Sequence, residues 1–176
     1  MTTGAMNWGR SRISVELLLG ISATLLSLGA LVVSVAQAKI AREQQRASVW
    51  PYLEIGTGRL DDKFILRLEN KGVGPALVRR AEVGRGGARY PSLAALFNRE
   101  LAGFQGPRYF VAVHPGRVLK VGEELDLFTI DKDRAKADRL EEVIADPTFV
   151  LRITYSDVYG NCWASTLGAV VPVPCP

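Results

Sequence analysis

One histidine, His114, and two cysteines, Cys162 and Cys175, are all the chain offers of the residue types that most often ligate metals or pair as nucleophile and base. A tetrahedral zinc site cannot be assembled from them without carboxylate help, and any Ser-His-Asp or Cys-His arrangement would have to use His114. That residue sits between Val113 and Pro115-Gly116, inside a turn signal, where a solvated or hydrogen-bonded ring is expected. Phosphate-binding motifs are missing too. Gly72-Val73-Gly74-Pro75 and Gly84-Arg85-Gly86-Gly87 neither open a helix with Lys-Ser/Thr nor match the dinucleotide fingerprint. The sequence therefore assigns no catalytic, cofactor-binding or metal-ligating residue, and the chain is read as a non-enzyme.

A run of single-sign charge is also lacking. Net charge is +4, but residues 1–48 carry five Lys/Arg against two acids and the remainder carries 17 against 16. The carboxy-terminal portion has no basic stripe, so nucleic acid is not expected as a partner. Asp61-Asp62 and Glu123-Glu124 read as solvated acids rather than calcium ligands. Arg79-Arg80, with Arg85, Arg89 and Tyr90, form the best basic cluster, yet strand alternation would send Arg79 and Arg80 to opposite faces.

What the chain does have is a charge-free run of 22 residues from Leu17 to Ala38, flanked by Arg10, Arg12 and Glu16 before it and Lys39, Arg42 and Arg46 after it. At ~1.5 Å per residue such a segment covers the ~30 Å hydrocarbon core as a helix, the one single-segment structure that satisfies its own backbone there. The expected organisation is a tail over 1–12, a transmembrane helix over 13–38, a helical stalk over 39–48 and a folded domain over 49–176. Ala36-Gln37-Ala38 has the small-x-small form of a signal-peptidase site, so cleavage before Lys39 is the alternative to a retained anchor. The apolar run exceeds the ~7–15 residues of a signal h-region, which favours retention in the cell (cytoplasmic) membrane.

Basic residues nearly balance across the span, so charge alone does not orient it. Cys162 and Cys175 could bridge in an oxidising compartment, and this tilts the reading to the extracytoplasmic side. Gly20, Ala23, Ser27, Ala30 and Ser34 follow steps of three, four, three and four, which aligns them in one row. Small residues let helices approach closely in lipid, so this row is the expected self-association surface of a homo-oligomer. A rival reading uses Ser22, Ser27, Ser34 and Gln37 to line a pore between several spans, as in a transport accessory subunit.

Beyond Pro51 the pattern is β-rich. Phe64, Leu66 and Leu68 alternate with Ile65, Arg67 and Glu69. Strands are expected over 49–55, ending at a Gly56-Thr57-Gly58 turn, then over 64–70, 76–83, 109–113, 118–121, 124–130, 149–155 and 162–167. Helices are expected over 92–101, after Pro91, and over 133–145, before Pro147. Strands of this number and spacing predict an antiparallel immunoglobulin-like β-sandwich with one or two short helices, although the Trp-and-two-Cys pattern of true immunoglobulin domains is absent; a small barrel is the rival. Asp157, Tyr159 and Asn161 cap the last hairpin and could form a recognition tip.

In Ser48-Val49-Trp50-Pro51-Tyr52-Leu53, Leu68-Glu69-Asn70-Lys71-Gly72-Val73-Gly74-Pro75-Ala76 and Ile153-Thr154-Tyr155-Ser156-Asp157-Val158-Tyr159-Gly160 the chain resembles a loose group of uncharacterised bacterial single-pass membrane proteins. The Asn-x-Gly-x-Gly-Pro-Ala turn is similar to one in immunoglobulin-like adhesion modules. The resemblance implies a span, a stalk and a β-sandwich, and transfers no catalytic residue. The functional expectation is a membrane-anchored module that contacts lipid through its span and binds a protein partner.

Overall fold

A computed structural model describes residues 14–102 and 108–176, so the tail expected over 1–12 lies outside the described residues. The chain divides into two compact units between Gln45 and Arg46. The first is built on helix α1 (Val15–Ala47), whose 33 residues would extend roughly 50 Å at the α-helical rise. Its most apolar window has mean hydropathy 2.2 and none of it is buried, so this helix is long and apolar enough to cross a membrane. No Gly or Pro interrupts residues 39–47, and the helix continues through them as their propensities favour.

The second unit is mainly β, with ten strands among the described residues. One antiparallel sheet has the order β1-β2-β7-β5, from Leu53–Leu60, Lys63–Asn70, Glu124–Ile130 and Arg108–Phe110. The other runs β10-β9-β8-β3-β4, from Ala169–Pro172, Cys162–Thr166, Val150–Ser156, Ala76–Arg85 and Ala88–Tyr90; β6 (Val118–Leu119) also pairs with β3. One core fills the space between them. Leu53, Phe64, Leu66, Leu68, Leu127 and Ile130 from the first sheet meet Val78, Val83, Leu151, Ile153 and Tyr155 from the second, all with at most 8% of their surface exposed. A parallel bridge from Ile55 to Leu167 draws the sheets together along one margin.

Helix α2 (Leu93–Glu100) packs Leu96 and Phe97 into the core, Phe97 meeting Phe128 edge-on at 4.7 Å. Helix α3 (Arg134–Ala145) buries Ala137, Leu140 and Val143. Ser92 caps α2 by accepting from the Ala95 amide at 3.1 Å, and Asp133 caps α3 by accepting from Lys136 at the same distance. Arg85 ties both helices to β3, bridging Glu100 at the end of α2 and Asp146 just past α3. Its hydrogen bond to Glu100 is the main reason its pKa is held above the ordinary arginine value.

The structure departs from the sequence reading in several details: β4 and β10 are not among the expected strands, and the strand expected over 49–55 begins only at Leu53. Gly56-Thr57-Gly58 is not a turn: β1 runs on to Leu60, paired residue for residue with β2, and the reversal falls at Asp61-Asp62 with Asp61 at φ 47°. Arg79 and Arg80 do not alternate. Leu77 and Val78 face Ser156 and Tyr155, but Arg80 faces Thr154, which leaves Arg79 as the extra residue of a β-bulge.

Tyr155 links the sheets through its hydroxyl, which accepts from the Leu53 amide at 3.2 Å. Burial pushes its pKa up to about 12, against the partial relief of that bond. The folded chain therefore holds the phenol proton where the unfolded chain, near the ordinary value of about 10, releases it. The associated stability is complete below pH 10 and drains away from there to pH 12. Chemical denaturation across pH 8–12 should show that loss, and Tyr155→Phe should flatten it while lowering stability at pH 8 by about 1 kcal/mol, because the Leu53 amide loses its acceptor.

Candidate functional site

The outer face of the second sheet gathers a cluster of arginines. Cross-strand pairing puts residues on a common face. Leu77, Arg80, Glu82 and Gly84 of β3 therefore share the outer face with Ser156, Thr154, Arg152 and Val150 of β8, while Gly84 also pairs with Arg89 of β4. The bulge adds Arg79 to the same side, since its Nε donates to Ser156 Oγ at 2.9 Å. Four arginines thus surround one carboxylate, Glu82, whose bridge is a 3.6 Å contact with Arg80. The expectation that Arg79 and Arg80 diverge is corrected here: it assumed an unbroken pleat, and one inserted residue removes the alternation.

The floor of this face is small and dry. Thr154, Ser156 and Ala164 are buried, and Gly84 carries no side chain. A shallow concavity of about 440 Å³ opens over Gly84, bordered by Arg80, Glu82, Arg89, Val150 and Arg152. Arg85 and Tyr90, grouped with these cations in the sequence, also line the concavity but are committed to other partners. Arg85 is neutralised by Glu100 and Asp146, and Tyr90 packs against the core. The Gly86-Gly87 pair, at φ 56° and 80°, makes the tight β3–β4 turn that lays Arg89 beside Gly84.

The hairpin tip is more self-contained than its composition suggests. Asp157 is buried and accepts from the Tyr159 and Asn161 amides at 2.8 and 2.9 Å and from Asn161 Nδ2 at 2.7 Å. Its carboxylate is spent on the turn, which leaves the half-exposed Tyr159 ring as the tip's outward feature. Cys162 and Cys175 are joined by a disulfide, with Cα atoms 5.3 Å apart. It fastens the carboxy-terminal tail to β9, where the Val173 amide also donates to Cys162 O at 3.0 Å.

Along α1, Ser27 and Ser34 donate to Ala23 O and Ala30 O, both at 2.8 Å. Ser22 likewise donates to Leu19 O at 3.0 Å. Hydroxyls bonded within their own helix leave the row of Gly20, Ala23, Ser27, Ala30 and Ser34 as a low-relief surface rather than a line of donors.

His114 lies at the rim of an apolar cleft of about 290 Å³ lined by Val83, Leu93, Val111 and Leu151, with its Nδ1 3.0 Å from the Pro115 carbonyl. Among the described residues the other side-chain hydroxyl lining the cleft is that of Ser92, which is used to cap α2.

Sequence reasoning missed the residue that organises the domain's entrance. Asn70 is fully buried; its Oδ1 accepts from the Tyr52 and Gly72 amides at 3.3 and 3.1 Å, and its Nδ2 donates to Gly74 O and Leu119 O at 2.9 and 3.2 Å. The 71–74 loop lies directly against residues 49–52. A Cβ at Gly74 would stand 1.9 Å from Val49 O, and one at Gly72 would stand 2.3 Å from the Tyr52 amide nitrogen. The Asn-x-Gly-x-Gly spacing of residues 70–74 was the available signal: glycine is required where backbones touch.

Comparison with family models, with curated proteins and with solved structures returns no match for this chain.

Proposed function

We propose that this chain is a non-enzymatic, single-pass membrane-anchored binding module whose β domain, an immunoglobulin-like sandwich, engages a protein partner. One observation carries the reading: an apolar helix with no buried part leads within a few residues to a domain that clamps the incoming segment through Asn70. A helix that cannot hide its apolar surface in its own fold finds that environment in lipid. Two antiparallel sheets around one core support the sandwich assignment. The Cys162–Cys175 bond supports an extracytoplasmic domain, because disulfides persist in oxidising compartments.

Anchoring works by raising effective concentration. A domain of modest affinity held at a surface meets partners in the same membrane far more often than a free one. The small-residue row on α1 would double that valency by bringing two spans together through close van der Waals packing. Replacing Ala23, Ser27 and Ala30 with Leu should weaken span-mediated self-association about tenfold, roughly 1.4 kcal/mol, read by crosslinking or energy transfer between labelled chains in bilayers. Unchanged association would remove the row from the proposal, and recovery of the full-length chain outside the vesicle fraction would remove the anchor.

A further inference from the structure

We propose that the outer face of the second sheet is a docking surface for an acidic protein segment, gripped by Arg79, Arg80, Arg89 and Arg152 around Glu82. This rests on the reading of the domain as a protein-binding module and names the chemistry of its partner. Among the described residues Arg89 and Arg152 take part in no ion pair, and Arg80 has only its 3.6 Å contact with Glu82. Charges left uncompensated around a concave floor are what a complementary partner neutralises. Guanidinium groups suit this role because each offers a planar fork of donors to a carboxylate.

Spacing decides what kind of anion fits. Arg80 and Arg152 are diagonal neighbours on adjacent strands, about 7–8 Å apart at the backbone. Arg89 lies on the far side of β3, so the set spans three strands, about 10 Å across. No single small anion reaches all of them, whereas an extended chain carrying several carboxylates does. The position of Glu82 selects between a protein and a lipid surface. A planar sheet of anionic headgroups would press like charge onto Glu82, but a protein segment can set a backbone amide or a basic side chain opposite it. The concavity over Gly84, lined by Arg80, Glu82, Arg89 and Arg152, likewise suits a convex segment better than a flat bilayer.

The test uses the full chain in phosphatidylcholine nanodiscs and a fluorescent deca-glutamate peptide, followed by anisotropy at low and physiological salt. Saturable, salt-weakened binding is expected. The double variant Arg80→Glu/Arg152→Glu should weaken it at least about tenfold and Arg80→Gln/Arg152→Gln about threefold, while Lys120→Glu, a charge reversal elsewhere, should change it less than about twofold. Thermal midpoints establish that each variant is folded, and the glutamine pair decides the matter if the charge reversals unfold the domain. Absent peptide binding, or equal weakening by Lys120→Glu, would overturn the proposal. Capture of phosphatidylglycerol vesicles that depends on Arg80 and Arg152 without peptide binding would overturn it in favour of a lipid surface. Crosslinking of the span reports separately on anchoring, so this inference can fail while that reading stands.

Discussion

Asn70→Ala is expected to cost the domain about 3–5 kcal/mol and to lower its melting temperature by about 10–15 °C. The side chain is fully buried and serves four backbone groups, of Tyr52, Gly72, Gly74 and Leu119, from three separate stretches of chain. Alanine leaves two amides and two carbonyls without that partner in a site closed to water, and each such orphan carries a desolvation cost. Gly74→Ala should be as severe for a different reason. The new methyl would fall 1.9 Å from a backbone oxygen and 2.3 Å from its carbonyl carbon, neither of which belongs to a flexible side chain. The incoming segment would have to move away, taking Trp50 and Tyr52 with it. Denaturation of the full chain in detergent checks both variants, and wild-type stability in either would show that the clamp contributes nothing.

Breaking the Cys162–Cys175 bond is the second large effect. The bond closes a loop of 13 residues in sequence separation, and its removal frees the unfolded chain by about 3 kcal/mol on the loop-entropy scale. The consequence is local. β10 pairs only with β9, and the tail beyond it is held by one amide bond and the disulfide. Cys175→Ser, or mild reduction, should therefore raise hydrogen exchange over Ala169–Pro172 first and lower global stability by about 2–4 kcal/mol. An unchanged exchange pattern after reduction would show that the hairpin holds the tail without covalent help.

Legibility in the sequence followed the range of the physics involved. The long apolar helix was readable because 22 consecutive uncharged residues mark it, and α2 and α3 because Ser92, Asp133 and the flanking prolines act on their immediate neighbours. β7 occupies the expected Glu124–Ile130, a short run of apolar and β-favouring residues that begins just past the Val121-Gly122-Glu123 turn. What escaped depended on partners distant in sequence. Gly56-Thr57-Gly58 has turn composition, yet the ladder with β2 holds it extended. The edge strands Ala88–Tyr90 and Ala169–Pro172 are strands only because a neighbour pairs with them. Asn70 reads locally as a turn residue, and its burial between the incoming segment and β6 is a tertiary fact. The cationic face was hidden because Arg89 and Arg152 join Arg80 through strand pairing, and Arg79 through a single inserted residue that no local pattern marks.

That insertion makes the surface chemistry separable from the fold. Deleting Arg79 would restore regular pairing with Val78 opposite Tyr155 and Arg80 opposite Thr154, leaving every inward side chain of β3 in place. A loss or gain of one codon could thus remove or restore one of the four arginines of this face while the interior is inherited unaltered. Lineages carrying such a domain would be free to change the charge of this surface without relearning how to fold.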